Sequence, residues 1–99
     1  MSRHRLGSDE DDFKGVYIPA KYWLDDNLEL IEVLFLLEIK HLDKGGGCTA
    51  KNDHFAWVFD LSPSRASQII NDLGEKGYLD IDYRYHGVII IERIIKCLK

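Results

Sequence analysis

Apolar side chains recur at helical spacing from Leu28 through Ile31, Phe35 and Ile39 to Leu42, and Leu30, Leu34 and Leu37 widen the stripe, which predicts a core helix. Asp25, Asp26 or Asn27 can cap its start. Lys40 and Lys44 suit the negative end of its dipole, and Gly45-Gly46-Gly47 then removes the helical preference. On the same wheel Val33 and Leu36 fall within the arc of Glu29, Glu32, Lys40 and Asp43, so two apolar groups are expected on a polar face. Ahead of this helix Gly15 to Pro19 reads as extended chain, and Ala20 to Leu24 as one helical turn carrying Trp23.

Beyond the glycines, Cys48 and Thr49 suit a short strand, and Lys51 to Phe59 a short helix with Phe55, Ala56 and Phe59 inward. Asp60-Leu61 makes a turn. Ser62-Pro63 starts another helix, because the serine hydroxyl can accept from free backbone N–H groups and proline has no N–H to satisfy at the first helical position. Its apolar residues Ala66, Ile69, Ile70 and Leu73 form one narrow stripe, and Gly77 after Lys76 is a left-handed stop. From Tyr78 the period changes to alternation: Leu79, Ile81 and Tyr83 face one way and Asp80, Asp82 and Arg84 the other. Tyr85-His86-Gly87 supplies turn chemistry, and Val88 to Ile91 returns as the second arm of a hairpin.

At 99 residues the chain has room for one modest core. No apolar run approaches the roughly 18 residues of a membrane helix. Met1 to Arg5 is followed by Gly7, Ser8 and an acidic run, not by the apolar segment of a signal peptide. A cytoplasmic location is expected. The net charge of −4 divides into −2 from residues 1–12 and −2 from residues 13–99. Residues 1–12 set Arg3 and Arg5 against Asp9, Glu10, Asp11 and Asp12, and are expected to be a disordered acidic tail. Residues 13–99 hold eleven basic and thirteen acidic side chains, so binding to a polyanion would have to be local.

The helix, short strand, helix, tight turn, helix and hairpin follow the order of a winged helix-turn-helix domain, an α+β fold of three helices and a small antiparallel wing. The segment Gly47 to Ala56, followed by Leu61 to Ile70, Leu73 and Lys76-Gly77-Tyr78-Leu79, resembles the winged helix-turn-helix module at the N-terminus of phage and plasmid replication initiators and replisome organisers. Ile18-Pro19, Trp23-Leu24 and the helix from Leu28 extend the similarity to residues 16 to about 93. The turn position that the family commonly fills with glycine is Asp60, a residue type that visits left-handed backbone more readily than most. The resemblance implies that the helix from Ser62 reads double-stranded DNA, that the hairpin is the wing, and that other replication proteins are partners.

The residues support a DNA-reading surface on their own terms. Ser64, Ser67, Gln68 and Asn71 lie opposite the apolar stripe; amides can pair bidentately with adenine, and short hydroxyls fit base edges or phosphates. Ser62 belongs to the same N-terminal end. Arg65 flanks the stripe and suits a phosphate, whereas Asp72 and Glu75 oppose DNA at the other end, favouring insertion by the helix N-terminus. In the wing, Arg84, Tyr85 and His86 set a guanidinium among aromatics, and Lys51 and Asn52 can meet phosphate at a helix start. For DNA binding, Arg65, Arg84, Lys51 and Lys76 would have to converge on one face. The alternative is a winged-helix protein-interaction module that does not bind DNA, which the acidic balance favours. Val33 and Leu36 with Trp57 suggest a homodimer contact. His41, Cys48, Asp53 and His54 match no metal-ligand spacing, and the glycine triplet precedes Cys-Thr, not the Lys-Ser or Lys-Thr of a phosphate loop, so neither metal, cofactor nor catalytic role is expected.

Overall fold

The computed structural model describes residues 18–99; the expected acidic tail over 1–12 and the start of the extended stretch at 15–19 lie outside them. Four helices, α1 (Ala20–Trp23), α2 (Leu30–Leu42), α3 (Asn52–Phe59) and α4 (Pro63–Glu75), precede an antiparallel hairpin of β1 (Leu79–His86) and β2 (Ile89–Cys97). The domain is thus a small α+β fold, with the single turn α1 added to the three helices of the expected plan. No helix among the described residues is long and apolar enough to cross a membrane.

Helix α2 begins later than its pattern suggests. Asp25 is taken by the loop before it: its carboxylate accepts from the Asn27 N–H at 2.9 Å and from the Tyr78 hydroxyl, which together hold its pKa below the ordinary carboxylate value. The cap passes to Glu29, in a reciprocal box with Glu32 whose carboxylate accepts from the Glu29 N–H at 2.9 Å. At the other end the Asp43 carboxylate accepts from the N–H groups of Gly45 (2.7 Å) and Gly47 (2.9 Å), which lowers its pKa and folds the glycine turn onto the helix end.

The expected polar face of α2 is covered along its middle, at Glu32, Val33 and Leu36. Val33 is 4% exposed and Leu36 0%, so neither can contribute to a contact between copies, and the homodimer surface built on them is overturned. Trp57 alone of that trio is exposed. The reason is enclosure: Phe35 stacks on Phe55 and Phe59 of α3, α4 and β2 pack against other sides, and α1 with Ile18 and Tyr22 closes over Val33. Glu32 and Glu38 are buried on the same helix because each finds a partner. Lys76 Nζ donates to both oxygens of Glu32 at 2.9 Å, and His54 Nε2 lies 2.8 Å from Glu38 Oε2.

The turn and stop chemistry follows the sequence closely. Asp60 takes the left-handed conformation (φ 58°, ψ 51°), and the Leu61 N–H reaches back to the Ala56 carbonyl at 2.9 Å. Ser62 Oγ accepts from the Arg65 N–H at 3.1 Å with Pro63 behind it. Gly77 (φ 87°) ends α4: the Tyr78 N–H meets the Leu73 carbonyl and the Gly77 N–H the Gly74 carbonyl, a double closure that puts buried Tyr78 beside buried Leu73. Ala66, Ile69, Ile70 and Leu73 are all buried.

The hairpin differs in its turn. Tyr85 and His86 belong to β1, and the loop is the pair Gly87-Val88, with positive φ only at its first residue, so Val88 is a turn residue and β2 runs on to Cys97. A register shift after Arg84 leaves Ile91 as the extra residue opposite Arg84-Tyr85. Cys48 pairs with Ile95 through two backbone hydrogen bonds of 2.7 and 2.9 Å, adding a one-residue strand on the outer side of β2. Burial raises the pKa of the Cys48 thiol. A Cβ at Gly47 (φ 97°) would stand 2.6 Å from Ile94 Cγ2, because the glycine loop lies against β2. Gly47→Ala is therefore expected to cost about 2 kcal/mol from left-handed strain and overpacking, against near-neutral Gly46→Ala, which meets open space. Urea denaturation of the two variants measures the difference.

Candidate nucleic-acid interface

Helix α4 turns its apolar stripe into the core, so its opposite face carries Ser64, Arg65, Ser67, Gln68 and Asn71 outward, with only Ser67 half-covered. Part of that face is already engaged. The Ser62 hydroxyl is occupied as the helix cap, and Arg65 Nη1 donates to Gln68 Oε1 at 3.3 Å, which leaves the Gln68 amide N–H₂ free to donate.

Beside this face the start of α3 and the hairpin enclose a groove of about 410 Å³. Its walls bring together Lys51, Asn52, Ser67 and Asn71, four of the residues singled out in the sequence, with Tyr83 and Arg93 from the hairpin. The N-cap residue of α3, Lys51, makes no side-chain cap bond, and Lys51 and Asn52 bring this helix start to the groove.

Arg93 is the residue that sequence reasoning missed. It stands opposite Tyr83 in the hairpin register, donates from Nη1 to Asn52 Oδ1 at 2.6 Å and from Nη2 to the Ala50 carbonyl at 2.9 Å, and so ties the hairpin to the start of α3. Its Nε is buried without a partner, and burial lowers the guanidinium pKa. Both acceptors are neutral, and no carboxylate pairs with it among the described residues. Glu92 also lines the groove, but its carboxylate is bonded to Arg84, so Lys51 and Arg93 face the groove without a carboxylate of their own. The signal is parity: Arg93 shares a face with buried Ile95 two residues on, beyond the β-branched run that predicts the second arm, which ends at Ile91.

The remaining expected residues are placed elsewhere. Arg84, Tyr85 and His86 lie on the distal half of β1 and do not line the groove. Arg84 faces Glu92 across the hairpin and is bonded to it at 3.1 Å, so its charge is largely offset. The Asn52 side chain is consumed by Arg93. Lys76 does not converge with Arg65 and Lys51: it is held at the start of α2 by Glu32 and by the Asn27 carbonyl at 2.7 Å. A second, open groove along the end of α4 and the start of β1 is lined by Asn71, Glu75, Asp80 and Tyr83 and is acidic. Charge is thus divided along α4, cationic near its start and acidic near its end. His41, Cys48, Asp53 and His54 do not gather as a metal set, and no such set exists among the described residues. Comparison of the chain with protein-family models, with curated proteins and with solved structures gives no match.

Proposed function

We propose that this domain is a winged helix that binds double-stranded DNA, with α4 as the reading helix and the groove beside it as the seat of a phosphate backbone. The observation that carries the reading is the uncompensated Arg93 guanidinium, set against Lys51 and the uncapped start of α3 and beside an α4 face of neutral hydrogen-bonding side chains. A backbone phosphate would pair with Lys51 and Arg93, which the Arg84-bound Glu92 of the same groove leaves without a carboxylate, while Gln68 and Asn71 reach base edges. The element order, including the Cys48 bridge to β2, supports the winged-helix assignment. A place in replication initiation of a phage, plasmid or other mobile element, with other replication proteins as partners, rests on the sequence resemblance alone.

Gln68→Ala and Asn71→Ala are expected to cost roughly 1 to 3 kcal/mol on a preferred duplex and little on mixed sequence, because each removes a base-edge hydrogen bond. Arg65→Ala should weaken both duplexes alike and lower the salt slope by about one. Arg84→Ala should change neither much, since Glu92 already holds it. Titration across a salt series, with a duplex selected from a random pool and a mixed-sequence duplex, reads all four. A second reading has its own support, because Tyr85, Val88, Ile89, Ile90 and Ile91 are exposed at the hairpin end, an apolar surface suited to protein contact. Absence of binding at low salt would give that reading the field.

A further inference from the structure

Strand β1 is a free edge. Its one neighbour is β2, whose other side is bridged by Cys48 at Ile95, and among the described residues no backbone group outside β2 bonds to residues 79–86. Helix α4 packs on the face of β1 that carries Leu79 and Ile81, with Gly74 approaching the Ile81 side chain. An uncovered edge of this length is a template for another strand unless its side chains forbid it.

The side chains here are ordered, not merely repulsive. Along one face of β1 the charges run Asp80, Asp82, Arg84, His86, acidic in the first half and basic or titratable in the second. The opposite face runs Leu79, Ile81, Tyr83, Tyr85, with both tyrosines exposed although each is a large ring. An antiparallel mate of the same sequence, centred on Tyr83, would set Asp82 of each copy opposite Arg84 of the other. It would also set Asp80 opposite His86, Ile81 opposite Tyr85, and Tyr83 opposite itself. In that register Asp82 and Arg84 are oppositely charged, Asp80 faces an imidazole, the remaining pairs are apolar or aromatic, and no like charges stand opposite each other. Sliding one strand by two residues would centre the pair on Asp82 or Arg84 and set that charge against itself, and sliding it by four, to a centre on Ile81, would place Asp80 against Asp82 in both halves, so the charge order also disfavours the neighbouring registers.

We infer that β1 is a self-pairing edge, through which two copies of this chain join their hairpins into one four-stranded antiparallel sheet about a twofold axis at Tyr83. The occupant is a second copy because the charge order is complementary to itself; an unrelated strand would need the same order by coincidence. Arg84 then lies between two carboxylates, Glu92 of its own hairpin and Asp82 of the other copy. The interface differs from the one expected at α2, and it stands whether or not the domain binds DNA.

Sedimentation of the full chain across a concentration series into the high micromolar range tests this. Wild type should dimerise. Asp82→Arg and Arg84→Asp, both at exposed positions, should each weaken self-association about tenfold or more by setting like charges opposite each other across the twofold. Mixed in equal amounts, the two variants should form a heterodimer, since opposite charges are restored at both positions. Far-UV circular dichroism on each variant checks that the hairpin is retained. A monomeric wild type, variants that associate like wild type, or a mixture that stays monomeric although both variants are folded and wild type dimerises would overturn the inference.

Discussion

Phe35→Ala is expected to remove about 3 to 5 kcal/mol of stability, enough to leave much of the domain unfolded at physiological temperature. Phe35 is wholly buried at the centre of α2, with its ring stacked at 4.8 Å on Phe59 and 5.3 Å on Phe55. Truncation would leave both α3 rings facing a void that no neighbouring side chain is free to fill, because α4 and β2 are fixed against the other sides of the helix. A domain of this size holds on the order of 4 to 12 kcal/mol in total, so one residue can decide whether α3 is docked. Phe35→Leu, which keeps most of the volume, should cost much less. Urea denaturation followed by circular dichroism compares the two; a loss under about 1 kcal/mol for the alanine variant would mean that the three rings are not the centre of the core.

Arg93→Met is expected to lower DNA affinity by about tenfold or more, reduce the salt slope by about one, and cost on the order of 1 to 2 kcal/mol of stability. Methionine retains the apolar stem but leaves Asn52 Oδ1 and the Ala50 carbonyl without their donor, so the start of α3 and the hairpin come apart at the groove. Arg93→Lys separates the two roles. The ammonium keeps the charge but cannot reproduce the flat two-pronged contact, so stability should fall as in the methionine variant while the salt slope stays near wild type. If Met and Lys variants lose affinity equally with an unchanged slope, Arg93 holds the groove together and does not itself meet phosphate.

Much of the fold is legible because it is set by local chemistry. The left-handed Asp60, the Ser62-Pro63 start, the Gly77 stop and the Ala66 to Leu73 stripe each depend on groups within a few residues of one another, and each stands where the pattern puts it. The same holds for part of the site: the neutral outer face of α4 follows from that stripe, so Ser64, Ser67, Gln68 and Asn71 could be found by counting around a wheel.

What the chain pattern by itself determined is therefore the order of the elements, their caps and turns, and the inward face of α4. What only the tertiary structure decided is how charges and surfaces are shared between elements distant in sequence. Glu32 reads as surface until Lys76, 44 residues later, brings it an ammonium, and Glu38 is buried with the ring nitrogen of His54, 16 residues later, beside its carboxylate. Val33 and Leu36 read as a contact surface until the rest of the core covers them. Arg93 lies beyond the β-branched run Val88 to Ile91, and only the hairpin lays it against Asn52 and Ala50 and brings its guanidinium to a groove beside Lys51. A periodic pattern records which side of an element is apolar. It cannot record which distant partner satisfies a buried charge, because that partner is chosen by packing once the chain has closed.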